Sequence, residues 1–117
     1  ARASREVHEL GPKYVIVKKG EHGAVMYCDG DICFSAASYP LEEVADPTGA
    51  GDSFAGGFMG HIARERSTAW PALCRAVVHG SAAASFACES FGPDRLASAT
   101  LAELEARVQA FRELTAF

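Results

Sequence analysis

Apolar positions fall along this chain in two different periods. Tyr14-Val15-Ile16-Val17 is an unbroken apolar run bounded by Gly11-Pro12 and by Lys18-Lys19-Gly20, which predicts a short buried strand. Ala24 to Cys28 and Ile32 to Ser35 predict two further strands. Asp29-Gly30 between them marks a hairpin, because glycine accepts the positive φ that a tight β-turn needs. The polar stretch before Gly11 is compatible with a helix through Leu10. Ala36 to Thr48 reads as a loop, broken by Pro40 and Pro47 and anchored only by Leu41 and Val44.

Beyond Thr48 the period changes to that of a helix. Phe54, Phe58 and Ile62 recur at i, i+4 and i+8, predicting a helix from near Ala50 with one apolar face. Gly56, Gly57 and Gly60 lie in it, each at a cost of about 1 kcal/mol relative to alanine; close packing against a sheet is the expected reason for all three. A second helix is predicted from about Trp70, with Ser67 and Thr68 as candidate caps, to about Ala87, its end slimmed by Ala82, Ala83, Ala84 and Ala87. Phe91-Gly92-Pro93 stops it. Thr100 caps a third helix with Glu103 at the capping-box position, and Leu101, Leu104, Val108, Phe111 and Leu114 form its apolar stripe. Short strands and a β-ribbon followed by three helices indicate an α/β class.

Composition narrows the partners. The 117 residues, 49% hydrophobic and 22% charged with a net charge of −4, suit one folded domain and offer no basic stripe for nucleic acid. Ala76 to Ala87 is interrupted by His79, Ser81 and Ser85 and falls short of the roughly 20 apolar residues of a membrane span. The four cysteines, at 28, 33, 74 and 88, form no Cys-x-x-Cys pair; free, mostly buried thiols in a reducing cytoplasm are expected. No signal peptide is read, although the chain starts Ala-Arg-Ala-Ser without a methionine.

Chemistry concentrates at residues 49–52. Gly49-Ala50-Gly51 opens the first of the three helices, where unpaired backbone N–H groups and the positive end of the helix dipole form an anion hole. A Gly-x-Gly turn alone could equally be a tight entry into a packed helix. Asp52 could likewise merely complement the dipole, but a carboxylate beside a phosphate site repels its ligand unless it has a task. General base toward a substrate hydroxyl attacking the γ-phosphorus fits that task. The P-loop pattern Gly-x4-Gly-Lys-Ser/Thr is absent, and the Rossmann fingerprint fails because Phe54 stands where its third glycine belongs.

Asp46-Pro47-Thr48-Gly49-Ala50-Gly51-Asp52-Ser53-Phe54, continued by Ala55-Gly56-Gly57-Phe58, resembles the C-terminal signature of the ribokinase (PfkB) family of small-molecule kinases. The flanking order agrees: a strand ending Lys18-Lys19-Gly20-Glu21-His22-Gly23, a β-ribbon, the signature helix and an Ala-rich helix. The resemblance therefore covers nearly the whole chain. It implies that residues 1–117 form the C-terminal, nucleotide-binding and catalytic part of a ribokinase-like three-layer α/β/α fold. An N-terminal half would supply most sheet strands, the sugar pocket and a lid.

Position by position, the resemblance implies Asp52 as catalytic base and Gly49, Ala50 and Gly51 as anion hole. Lys18, Lys19, Gly20 and Gly23 would line the nucleotide, with Gly80 and Ser81 beside its adenine. Asp46 and Thr48, with carbonyls around Ala87, Ser90 and Gly92, would form a monovalent-cation site, usually for potassium; the family's later hydroxyl ligand falls near Leu96, which has none. The implied reaction moves the γ-phosphoryl group of ATP, carried with Mg²⁺, to a hydroxyl of a sugar. A nucleoside kinase and a non-catalytic nucleotide-binding module are the alternatives, and the full-length protein is a candidate homodimer. Without the N-terminal half, negligible turnover is expected, since half a site cannot align hydroxyl and phosphorus, and the exposed sheet edge favours association.

Overall fold

Three short strands join into one antiparallel sheet in the computed structural model, which describes residues 2–19, 22–28, 32–39, 49–89 and 100–116. After helix α1 (Arg2–His8) come β1 (Val15–Lys18), β2 (Ala24–Tyr27) and β3 (Cys33–Ala36). They lie in the order β1-β2-β3, with Lys18 opposite Ala24 and Ala24 opposite Ala36. Burial expected for β1 falls to β2 instead. Val15, Ile16 and Val17 at the sheet edge are only half-buried, whereas the central strand buries Ala24 and Met26 completely. Asp29 and Gly30 lie outside the described residues; on their flanks the Cys28 N–H donates to the Ile32 carbonyl at 3.0 Å, which keeps the two strands paired up to the turn.

Three helices follow: α2 (Ala50–Glu65), α3 (Trp70–Cys88) and α4 (Leu101–Thr115). α3 is the hub. Its Leu73 and Val77 meet Ala24, Met26 and Ala36 of the sheet and Phe54 of α2 in one core, and its Ala82 meets Val108 and Phe111 of α4 in a second. The slim alanines predicted for this helix let neighbours approach from several sides. Pro71 stands in its first turn, where a missing N–H costs nothing. The N-cap is Ala69 rather than Ser67 or Thr68; the Ser67 hydroxyl instead accepts from the Ala69 N–H at 3.1 Å. α4 starts as its sequence demands, with the Thr100–Glu103 capping box formed in both directions.

Of Gly56, Gly57 and Gly60 only Gly57 serves close packing. A Cβ there would stand 2.8 Å from the Ala83 Cβ and 3.0 Å from the His79 carbonyl oxygen, while Gly56 and Gly60 face open space. Across the same seam a Cβ on Gly80 would stand 2.8 Å from the Phe54 carbonyl oxygen. Phe54 against Gly80, His61 against His79 and Glu65 paired with Arg75 make α2 and α3 antiparallel, so the start of α2 rests on the C-terminal half of α3. The close partner of these glycines is thus a helix, not the expected sheet.

All four cysteines are free, yet none is fully buried: Cys33 is exposed and Cys28, Cys74 and Cys88 are half-buried. Cys28, Cys33 and Cys88 sit at strand or helix ends, while Cys74 packs against the edge of the main core. Among the described residues no helix is long and apolar enough to cross a membrane.

Candidate functional site

The first turn of α2 is built to present bare amides. Gly49, the N-cap, takes φ 82°, ψ −3°, a left-handed conformation open to glycine, and no side chain caps the helix. The first intrahelical bond of this turn runs from the Ser53 N–H to the Gly49 carbonyl at 2.9 Å. Helix geometry therefore leaves the N–H groups of Ala50, Gly51 and Asp52 without intrahelical acceptors, next to the positive end of the dipole.

β1 delivers a cation to this turn. Its last residue, Lys18, reaches 33 positions along the chain, and its Nζ donates to the Gly51 carbonyl at 3.3 Å. A Cβ at Gly51 would stand 2.8 Å from the ammonium nitrogen, so a larger residue there would push the flexible lysine tip aside. Asp52 follows with an exposed side chain and makes no hydrogen bond or ion pair among the described residues. An ammonium group, three amides without intrahelical acceptors and a carboxylate unpaired among the described residues thus share one helix end. Such a set can hold an anionic group and leave a base beside it.

The other predicted residues divide. Lys19 is exposed, and its backbone closes the turn after β1: its N–H donates to the Gly23 carbonyl at 2.7 Å and its carbonyl accepts from the His22 N–H at 3.0 Å. Gly23 has φ 88°, and a Cβ would lie 2.1 Å from the Ala36 carbonyl oxygen, so this position admits glycine alone. Gly80 and Ser81 are buried in α3, where the bareness of Gly80 serves the contact with Phe54. Ala87 is buried near the end of α3. Gly20, Asp46, Thr48, Ser90 and Gly92 lie outside the described residues, as do Pro40, Leu41, Val44, Pro47, Phe91 and Leu96. Of the expected cation ligands, only Ala87 is therefore placed.

Two clusters escaped the sequence reading. His61 and His79 stack with ring centroids 4.0 Å apart. His61 donates from Nε2 to Glu65 and accepts at Nδ1 from Arg64 at 3.2 Å, while Glu65 also holds Arg75. His79, 7% exposed and with Nδ1 lacking a partner, has its pKa lowered to about 4, first by burial and then by the charges of His61 and Arg64. The second cluster surrounds Arg107 on α4. A basic residue within the stripe of Leu104, Val108 and Phe111 is the sequence signal that could have exposed it.

Comparison with known proteins agrees on one family. The model described as "pfkB family carbohydrate kinase" matches residues 1–100. Cytidine kinase of Thermococcus kodakarensis is 42% identical over 64 residues, 55% of this chain and 23% of that enzyme. Among solved structures, the nucleoside kinase of Methanocaldococcus jannaschii, described as an archaeal member of the ribokinase family, superposes with a TM-score of 0.70 at 30% identity, covering 84% of this chain and 30% of that one. Arabidopsis thaliana ribokinase, solved with ribose and ATP, gives a TM-score of 0.74 at 26% identity over 92% of this chain and 33% of that one. The chain thus spans a third or less of each of these relatives.

Proposed function

Because the chain belongs to the pfkB family of carbohydrate kinases, we propose that it forms the phosphoryl-transfer end of a kinase moving the γ-phosphoryl group of ATP to a hydroxyl of a sugar or nucleoside. The observation that carries this reading is the meeting of Lys18 with the first turn of α2 beside the exposed Asp52. The amides of Ala50, Gly51 and Asp52 would hold the oxygens of the transferring group, and Lys18 would offset their charge. The Asp52 carboxylate would take the proton of the acceptor hydroxyl as its oxygen attacks phosphorus. Phosphoryl transfer asks chiefly for such positioning and charge stabilisation.

Magnesium would enter on the nucleotide, where it supplies further neutralisation of phosphate charge. Potassium would need Asp46, Thr48, Ser90 and Gly92 beside the Ala87 carbonyl, and no step is assigned to it. Lys19, the bend around Gly20 and Gly23, and the Gly80–Ser81 stretch would flank the nucleotide. An upstream half would bring the acceptor pocket and more sheet, in a cytoplasmic protein that would pair as a homodimer.

Relatives that phosphorylate nucleosides and relatives named for ribose both match, so the acceptor class stays at sugar or nucleoside. A panel of sugars and nucleosides, assayed for ATP consumption with the longer protein that carries this chain, tests the reading. Acceptor-dependent release of ADP is the expected result. ATP binding without turnover on any acceptor would favour the non-catalytic module instead.

A further inference from the structure

Arg107 sits where α4, the end of α3 and the chain beyond β3 converge. Its guanidinium carbon lies 3.8 Å from the centroid of the Phe86 ring and 4.7 Å from that of Tyr39. Nη1 donates to the Ser85 hydroxyl at 3.0 Å and Nη2 pairs with Glu89 at 2.5 Å. Ser85 in turn donates to the Ala82 carbonyl at 2.6 Å, and Tyr39 also rests on Phe111 with centroids 5.3 Å apart. One planar cation therefore holds three residues of the last α3 turns and the first aromatic residue after the sheet. Its side chain is 16% exposed, too enclosed for an ordinary solvated surface charge.

That end of α3 is the bed of the candidate site. Phe54 lies on Gly80 and Gly57 on Ala83, one to two turns from Ser85 and Phe86, and Asp52 stands two residues before Phe54. We propose that Arg107 is a positioning residue for phosphoryl transfer: by clamping Ser85, Phe86, Glu89 and Tyr39 it fixes the α3 surface on which the first turns of α2 are seated. Its effect on the reaction would run through α3 and not through direct contact with the reacting groups. The clamp uses the flat face of the guanidinium for stacking and its forked edge for Ser85 and Glu89, a combination that lysine cannot reproduce. The inference rests on the kinase reading for its catalytic meaning, while the seating of α2 can be measured without it.

Hydrogen exchange on the longer protein that carries this chain tests the seating. In Arg107→Ala the amides of Ser53 to Gly57 should exchange about tenfold faster, with those paired between β1 and β2 unchanged, because a local opening is made easier while the sheet keeps its own stability. Arg107→Lys should restore protection only in part. Unchanged exchange at Ser53 to Gly57, equal acceleration throughout the chain, or full rescue by lysine would each overturn the proposal. In the longer protein, Arg107→Ala should lower kcat about tenfold with the acceptor KM unchanged. A kcat equal to wild type would also overturn the catalytic role, whereas a wild-type protein without turnover would count against the kinase reading and leave the exchange result to decide the seating.

Discussion

Lys18 and Asp52 bring opposite charges to one helix end for different reasons. Lys18 arrives through strand register: it is the last residue of β1, paired with Ala24, and it leans on the Gly51 carbonyl. Asp52 arrives through the helix itself, in the first turn after a left-handed Gly49. In the longer protein, Lys18→Ala should raise the KM for ATP about tenfold, since one charge-assisted phosphate contact contributes on the order of 1–2 kcal/mol. Steady-state kinetics with ATP varied checks this, and an unchanged KM would return Lys18 to a solvated strand end. Asp52 and the glycines before it were legible from the chain because they are consecutive. Lys18 was legible only as a candidate, since its partner stands 33 residues away.

α2 and α3 show how much periodicity reveals and where it stops. The stripe of Phe54, Phe58 and Ile62 announced a helix, but it did not say which element would cover the glycines. Neighbour identity is a tertiary fact, and it divides the glycines sharply. Gly57→Ala should destabilise the chain by roughly 1–3 kcal/mol, as overpacking against Ala83 and the His79 carbonyl forces the helices apart. Gly60→Ala should stabilise it by roughly 0.5–1 kcal/mol through helix propensity alone. Urea unfolding of the two variants measures both, and equal effects would refute the packing seam.

The same two helices carry a pH dependence. His79 keeps a neutral ring in the fold because burial lowers its pKa from 6.5 to about 4, with His61, Arg64, Glu65 and Arg112 as the charged or titratable groups around it. The unfolded chain therefore binds a proton near pH 6.5 that the folded chain refuses until about pH 4. Stability falls as the pH drops through that window, by on the order of 2–3 kcal/mol. Unfolding midpoints collected between pH 7 and 5 should decline in the wild type and flatten in His79→Asn. Two histidines 18 positions apart gave no sign in the chain that they would stack, because only the antiparallel seam brings them together.

At the scale of the whole molecule, the sheet and α2 pack on one part of α3 and α4 on another. The order of strands and helices, the hairpin and the capping box of α4 were readable locally, since each depends on adjacent residues. The exposure of β1, the hub role of α3 and the Arg107 clamp were not, since each depends on contacts between distant segments. The chain covers 23% of the cytidine kinase and about a third of the solved relatives. What these 117 residues can be held to is the chemistry at the start of α2. The most direct measurement is kcat of Asp52→Asn in the longer protein, with ATP affinity determined alongside. Loss of a general base predicts a fall of about 10²–10⁴-fold with ATP binding retained; turnover close to wild type would contradict the assignment of Asp52 and the account built on it.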